Sequence, residues 1–190
     1  MTDATDEQDK LARLQGVVGQ FAVEGEFQRA QPIESGHINA TFRVECAGDD
    51  QSREYVLQQV NRSIFKDPEG LMANVARVTQ HIRQKLEHQG ETDLERRVLQ
   101  AIPTHAGDPL FVDSAGECWR MYQYVRDAHP VSDSPSPEEI YQAGWGFGEF
   151  IAQAADLPAS GLVATIPDFH HGPKRFASLQ RAVEADVAGR

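Results

Sequence analysis

A short loop in the first quarter of the chain holds the residue types best suited to binding an anion. The loop, Ser35-Gly36-His37-Ile38-Asn39, lies between Pro32-Ile33 and a strand-like run, Thr41-Phe42-Arg43-Val44. Backbone N–H groups in such a turn can converge on an anion, because glycine has no Cβ to block the approach. A second β-rich run over 54–60 could pair with the first. The pattern predicts a hairpin whose loop binds phosphate, with an ordinary structural turn as the alternative.

Composition and charge restrict the expected partners. The 190 residues are 40% hydrophobic and 25% charged, which suits one domain, or one lobe and part of another, with a hydrophobic core. Lys and Arg number 18 against 29 Asp and Glu, and the net charge of −11 repels polyanions, so we expect no nucleic-acid partner. The N-terminal residues lack a secretion signal, and no apolar run approaches the ~20 residues of a membrane span. We therefore expect a cytoplasmic location and no membrane partner.

Hydrophobic periodicity and capping residues predict the elements of the first two thirds of the chain. We expect a disordered acidic tail over 1–10, then an amphipathic helix that starts at Leu11 and ends near Gly25. Asp67-Pro68 predicts the start of a second helix and Gly90 its end. One face of this helix should carry Leu71, Val75, Val78, Ile82 and Leu86. Further strands are expected over 98–102, 109–113 and 119–125.

The last third of the chain predicts helices only. A proline-containing connector over 128–136 precedes Ser136-Pro137-Glu138-Glu139, a capping box that opens a helix, and another helix should begin near Pro173. Their inward-facing residues should be Ile140, Phe147, Ile151 and Ala154 in the first helix, and Phe176, Leu179, Val183 and Val187 in the second. Two or three helices are too few to close a bundle core. We therefore predict a small sheet lobe followed by an incomplete helical lobe.

Three other patterns predict little chemistry. The glycines of Gly144-Trp145-Gly146-Phe147-Gly148 lack dinucleotide-fingerprint spacing and lie inside a capped helix. In Asp168-Phe169-His170-His171 the adjacent histidines point in different directions, so a loop near a ligand pocket is favoured over a metal site. Cys46 and Cys118 are expected to be reduced, half-buried thiols that build no zinc site.

Six groups of residues together resemble one known family. The first is Ser35-Gly36-His37-Ile38-Asn39-Ala40-Thr41-Phe42, and the others lie at 55–61 with 64–68, 71–75, 119–122, 143–148, and 166–170 with 175–176. In order and spacing, from residue 15 to residue 190, the chain is similar to the N-terminal half of the N-acetylhexosamine 1-kinase branch of the aminoglycoside and choline kinase phosphotransferases. No single group decides the resemblance, but the six do together.

The resemblance implies an α+β fold. A protein-kinase-like N-terminal lobe with a small mixed or antiparallel sheet would span 11–127, and an incomplete helical C-terminal lobe would begin at 137. The implied activity is ATP-dependent phosphorylation of a sugar at the anomeric hydroxyl, with ATP and Mg²⁺ as cofactors. Such enzymes carry their catalytic Asp and metal ligands in the second half, and no His-x-Asp occurs among the seven histidines here. We therefore expect no catalytic or metal-binding residue in this chain, and no activity from it alone.

The resemblance also implies binding roles for individual residues. The nucleotide would contact Gly36, Asn39, Thr41, Gln58, Tyr122 and Tyr124, and the sugar would contact His37, Asp168 and His170. Adenine would meet backbone groups over 122–125, and Ile33, Val44 and Val56 could enclose it, although alternating apolar residues of a sheet are core residues by default. Gln58 and Gln59 stand where the wider kinase group carries a lysine, so phosphate binding would depend on the loop, Mg²⁺ and other basic groups. Arg62 and Lys66 are nearby cations, with solvated surface charge as the favoured interpretation of each.

Two alternatives stay open at this point. The first is a non-catalytic lobe that binds nucleotide or sugar, or a half-enzyme that needs a complementary C-terminal lobe as its partner. The second is a kinase whose acceptor is an amino alcohol or an aminoglycoside, for which the acceptor pocket would be acidic.

Overall fold

The computed structural model describes residues 2–34, 36–48, 52–128, 134–187 and 189, with side chains from Gln8 onward. This part of the chain folds as an α+β protein with one antiparallel six-stranded sheet. Its helices are α1 (Thr2–Val18), α2 (Pro68–His88), α3 (Leu94–Arg97), α4 (Pro137–Ala154) and α5 (Gly172–Ala185). Its strands are β1 (Glu26–Pro32), β2 (Ala40–Ala47), β3 (Ser52–Gln59), β4 (Ala101–Ile102), β5 (Phe111–Val112) and β6 (Cys118–Gln123).

The two predicted β-rich runs pair at the centre of the sheet, but the predicted anion loop joins β1 to β2 and is not the loop of this hairpin. β2 and β3 pair over their full lengths, with Thr41 opposite Gln58 and Val44 opposite Tyr55. The strand order is β1-β2-β3-β6-β4. β5 pairs with the first two residues of β6, and β4 pairs with residues further along β6. β1 escaped prediction because it has few β-branched residues and because an irregularity between Phe27 and Arg29 interrupts its alternation.

The strands on the far side of β6 are shorter than predicted. β4 and β5 have two residues each, against five predicted for each run. The predicted strand 98–102 is shortened to β4 because the chain leaves α3 only at Arg97. Val98 then packs against Ile82 and Leu86 of α2 in a second hydrophobic cluster. Burial of Val98 in this second cluster therefore outweighs its strand propensity.

The main core lies between α1 and one face of the sheet. Leu14, Val17 and Val18 of α1 pack against strand residues that include Val44, Leu57 and Met121, all of them fully buried. The sequence predicted a helix from Leu11 to near Gly25, but α1 ends at Val18 and extends back to Thr2, through the predicted tail. Phe21 lies beyond the helix, completely buried, where it bridges to Thr104.

Helix α2 confirms its predicted boundaries. Asp67 is the N-cap, its carboxylate accepting a hydrogen bond from the Gly70 N–H at 2.8 Å, and Pro68 occupies the first turn. Gly90 follows the helix at φ +79°, a conformation that glycine adopts without strain. Met72, absent from the predicted face, is 1% exposed and reaches the sheet face opposite α1.

Helix α4 begins as predicted, but its apolar side is not buried. Ser136 and Glu139 form the reciprocal hydrogen bonds of a capping box. The prediction that Ile140, Phe147 and Ile151 point inward is wrong, since their exposed fractions are 58%, 72% and 65%. Periodicity identifies which residues share a helix face but not what covers that face.

Helix α5 likewise begins where Pro173 predicts and stays exposed. The predicted inward-facing residues are 59% to 94% exposed: Phe176, Leu179, Val183 and Val187. We refer to these four together with Ile140, Phe147 and Ile151 as the exposed apolar face. The predicted connector, 128–136, falls largely on 129–133, outside the described residues.

Two remaining features bear on the environment of the protein. Cys46 and Cys118 are free and buried, rather than half-buried, and burial raises the pKa of the Cys46 thiol. Among the described residues, no helix combines the length and apolar character needed to span a bilayer.

Candidate functional site

The sheet has a second face that is only partly covered. Side chains alternate between the faces of a strand, so residues adjacent to the buried Val44, Leu57 and Met121 point away from α1. We call this side the open face. It is defined by Thr41, Arg43, Glu45, Glu54, Val56, Gln58, Arg120 and Tyr122.

A row of three side chains crosses the open face. Thr41, Gln58 and Arg120 are direct neighbours on β2, β3 and β6. The Gln58 amide donates to the Thr41 hydroxyl oxygen at 3.1 Å, and its carbonyl oxygen accepts from Arg120 Nε at 3.0 Å. Gln58 thereby connects a hydroxyl at the start of β2 to a guanidinium two strands away.

Met72 of helix α2 contacts the Arg120 end of this row through its thioether sulfur. The Arg120 guanidinium lies 5.2 Å from the centre of the Tyr122 ring, and Arg120 Nη1 is 3.8 Å from Met72 Sδ. The Tyr122 hydroxyl also donates to Met72 Sδ, at 3.6 Å. Tyr122 is 5% exposed, and burial raises its pKa.

The β1–β2 loop is anchored to the segment that follows β3. Asn39 Oδ1 accepts from the Asn61 N–H at 3.0 Å, and Asn61 Nδ2 donates to the Ile38 carbonyl at 3.0 Å. A Cβ built at Gly36 would meet nothing within 4 Å, so its surroundings are open, and His37 is exposed. Ser35, the first residue of the predicted anion loop, lies outside the described residues.

The opposite end of the open face is rich in charge. Arg43 donates to Glu54 through Nε at 2.8 Å, and its guanidinium lies 4.6 Å from the centre of the Tyr124 ring. Arg126 Nε is 3.1 Å from the second Glu54 oxygen. The hydrogen bond to Glu54 raises the pKa of Arg43. These groups surround a recess of about 490 Å³ that also contacts Glu45, Ser52 and Asp127.

The structure brings some of the predicted nucleotide contacts together. Thr41 and Gln58 share a hydrogen bond, and Tyr124 lines the recess on the same side of the sheet. Asn39 lies at the edge of this region, with its side-chain oxygen already bonded to Asn61. The Tyr122 side chain packs against Met72, and its backbone is paired with Val56 of β3 and Ala101 of β4, so this predicted contact is not free to meet a ligand.

The apolar residues predicted to enclose adenine lie on different sides of the sheet. Val56 belongs to the open face and is half-buried. Val44 is 0% exposed within the core beneath α1, so its prediction as part of an adenine sandwich is wrong. The alternation of β2 places Arg43 on the open face instead.

The predicted sugar contacts Asp168 and His170 belong to a separate local structure at the start of α5. Asp168 Oδ2 is 2.6 Å from Lys174 Nζ, and that hydrogen bond lowers the pKa of Asp168. His170 packs edge-on against Phe169, with ring centres 4.5 Å apart, and Phe169 lies 5.4 Å from the Arg175 guanidinium. Within the described ranges, no hydrogen bond or ion pair joins this segment to His37.

Sequence reasoning missed Arg120, Asn61 and Met72. Arg120 lies between Trp119 and Met121, which are both buried in the core. Because side chains alternate along a strand, that position would have placed Arg120 on the face opposite the core. The bonds of Asn61 join residues 22 and 23 positions apart, and local patterns carry no signal for such contacts.

Another groove lies away from the open face, although Arg62 and Lys66, the basic residues considered for phosphate, line it. It measures about 1180 Å³ between the start of α2 and the 104–112 segment, and it includes Lys66, Met72, His105 and Phe111. It contacts neither the loop nor the Thr41–Gln58–Arg120 row, although Met72 lies between the groove and the row.

No group of three or more His, Cys, Asp and Glu side chains in the described part of the chain could hold a metal ion. No protein-family model matches this chain. On the open face a hydroxyl, an amide and a guanidinium lie next to an anchored loop, and all three are hydrogen-bond donors.

Proposed function

We propose that this chain is the nucleotide-binding lobe of an ATP-dependent sugar kinase whose acceptor is an N-acetylhexosamine. The observation that carries the proposal is the Thr41–Gln58–Arg120 row, which begins beside the β1–β2 loop and crosses three strands. In kinases a loop between the first two strands covers the phosphates, and the third strand supplies a phosphate-binding group. The order β1, loop, β2, β3, α2 and β6 resembles that arrangement.

One end of the open face would bind the base of ATP and the other end would bind the phosphates. The recess beside Tyr124 would hold the base, because backbone groups after β6 and an aromatic ring lie there, and its charged side chains, such as Arg43 and Glu54, would bond the polar edge of the base. The end beside Thr41 suits the phosphates, because the loop backbone around Gly36 is unobstructed.

The remaining parts of the proposal depend on the resemblance. His37, exposed on the loop, would hydrogen-bond a sugar hydroxyl through its imidazole. The described part of the chain has no group of three or more His, Cys, Asp or Glu side chains that could hold Mg²⁺.

Titration calorimetry tests the proposal most simply. We expect MgATP to bind the chain and adenosine to bind more weakly, since the phosphates contribute charge-assisted hydrogen bonds. Gln58→Leu should weaken MgATP binding, because it removes the central group of the row, whereas Gln28→Leu in β1 provides a matched exposed control. Absence of any nucleotide binding by the folded chain would contradict the proposal.

The exposed apolar face favours a second candidate function. Seven large apolar side chains on or after α4 and α5 are 58% to 94% exposed, and exposed apolar side chains in that number favour contact with another surface. The lobe could therefore bind nucleotide or sugar while a second polypeptide completes the enzyme. Both candidates expect no phosphorylation by the chain alone, so phosphorylation of N-acetylhexosamine that appears only when a second polypeptide is added would support this one.

A further inference from the structure

We propose that Arg120 is the residue that binds the phosphates of the nucleotide, supplying from β6 the positive charge that Gln58 lacks on β3. This inference rests on the proposed function and names the charged group of the same site. It starts from the position of Arg120, directly opposite Gln58 on the neighbouring strand and one more strand from Thr41.

The partners of Arg120 are all uncharged. They are the Gln58 carbonyl oxygen at 3.0 Å, the Met72 sulfur at 3.8 Å and the face of the Tyr122 ring. None of the ion pairs found among the described residues includes Arg120.

Other arginines of the same sheet have carboxylate partners. Arg43 pairs with Glu54, and Arg29 pairs with Glu45 at 2.5 Å. Arg120 is half-buried, and a charge in that environment is costly unless an opposite charge compensates it. A bound anion would provide that compensation.

Phosphate is the anion that fits this position. A guanidinium presents planar, paired donors that match two phosphate oxygens. The Gln58 bond to Nε restrains its orientation, and of the two Nη groups only Nη1 has a partner among the described residues, the weakly accepting Met72 sulfur. The Met72 thioether is too weak an acceptor to neutralise the charge.

The strand register places Arg120 at the phosphate end of the site. The row Arg43–Val56–Tyr122 is two residues along the strands from the row Thr41–Gln58–Arg120, which corresponds to about 7 Å. A nucleotide whose base occupies the recess beside Arg43 would therefore extend its phosphates toward Arg120 and the loop.

The test compares Arg120→Met with Arg120→Lys, using sodium tripolyphosphate, MgATP and adenosine as separate probes in calorimetry. Arg83→Met is the matched control, because Arg83 is a surface arginine paired with Glu87 within α2. We expect Arg120→Met to weaken tripolyphosphate and MgATP about tenfold or more and to leave adenosine unchanged. Arg120→Lys should retain part of the affinity, and Arg83→Met all of it.

A measurement on the unmodified chain covers the case in which Arg120→Met does not fold. The ¹⁵N resonance of Arg120 Nε should shift on addition of tripolyphosphate, while that of Arg83 should not. Equal affinity of Arg120→Met and wild type, absence of tripolyphosphate binding, or an unshifted Arg120 resonance would each overturn the inference. Tripolyphosphate binding at Arg120 without any binding of MgATP would instead overturn the proposed function and reduce this inference to a polyphosphate site at Arg120.

Discussion

Asp113 shows how one carboxylate can join a turn, a strand and a helix. Its Oδ1 accepts from the N–H groups of Ala115 and Glu117 at 3.0 Å each, and its Oδ2 accepts from Trp119 Nε1 at 2.9 Å and from Arg13 at 2.6 Å. Burial alone would raise the pKa of Asp113, but these hydrogen bonds outweigh it and lower the pKa to about 2. The ionised carboxylate therefore stabilises the fold.

We predict that Asp113→Asn lowers the free energy of unfolding by about 2 kcal/mol at neutral pH, because an amide cannot accept at both positions. Urea denaturation followed by tryptophan fluorescence measures this change. Asp108→Asn, at an exposed position of the preceding loop, should change stability by no more than about 0.5 kcal/mol.

The same pair of proteins gives a pH prediction. The folded-state pKa of Asp113 lies below its unfolded value, so its contribution is complete above about pH 4 and is lost as the pH falls through about 2. The stability difference between wild type and Asp113→Asn should therefore narrow between about pH 5 and pH 2. A difference that stays constant over this range would refute the role assigned to the carboxylate.

Asn39 provides the corresponding test for the loop. Asn39→Ala removes the acceptor of the Asn61 N–H, so amide hydrogen exchange over 36–41 should become faster by roughly fivefold, for a hydrogen bond worth about 1 kcal/mol. Hydrogen-exchange mass spectrometry measures the effect. Gln31→Ala, at an exposed position of β1, should leave the loop unchanged, and an equal rate in both variants would show that the loop is not anchored by Asn39.

At the scale of elements, Lys85 of α2 holds the last carbonyls of α4. Lys85 Nζ donates to the carbonyls of Ala152 and Gln153 and lies 2.8 Å from Asp156, which also contacts His81 Nε2 at 2.9 Å. A cation at the end of a helix satisfies its last carbonyls and interacts favourably with its dipole. The hydrogen bonds from Lys85 and His81 lower the pKa of Asp156 to about 2.

We predict that Lys85→Met speeds amide exchange in the last turn of α4 about five- to tenfold, because those carbonyls lose their donor. Exchange in the central sheet should not change. Arg83→Met, whose lost pair lies within α2, should leave α4 as it is. Similar exchange of α4 in both variants would mean that the contact with Lys85 does not hold the helix.

The elements also show how far the sequence could be interpreted. Asp67 with Pro68, Gly90 and the Ser136 capping box predicted helix boundaries correctly, because caps depend on a few adjacent residues. The β2–β3 hairpin was predictable from alternation. β1, α3 and the short β4 were not, because distant partners rather than local propensity determine them.

The candidate site was predictable only in part, for the same reason. The residue types of the loop and Gln58 could be recognised in the sequence. The position of Arg120 beside Gln58 could not, because it depends on the pairing of β3 with β6, whose paired residues lie 60 to 68 positions apart. The burial of Val44 required knowledge of which face α1 covers.

At the scale of the whole molecule, apolar residues fall into two classes that mutation can separate. Phe21 is 0% exposed and Phe147 is 72% exposed. We predict that Phe21→Ala costs about 3–5 kcal/mol of unfolding free energy, and that Phe147→Ala costs no more than about 0.5 kcal/mol. Chemical denaturation measures both, and a loss of about 2 kcal/mol or more for Phe147→Ala would indicate that the exposed apolar face is covered in solution.

The central claim is that the open face of the sheet binds the nucleotide. Hydrogen-exchange mass spectrometry of the chain with and without MgATP tests it most directly, because the method locates the bound ligand along the sequence. We predict protection over 36–41 in the loop, in β3 around Gln58, and over 122–125 at the end of β6. Protection confined to the large groove, at the start of α2 and over 104–112, would contradict the account.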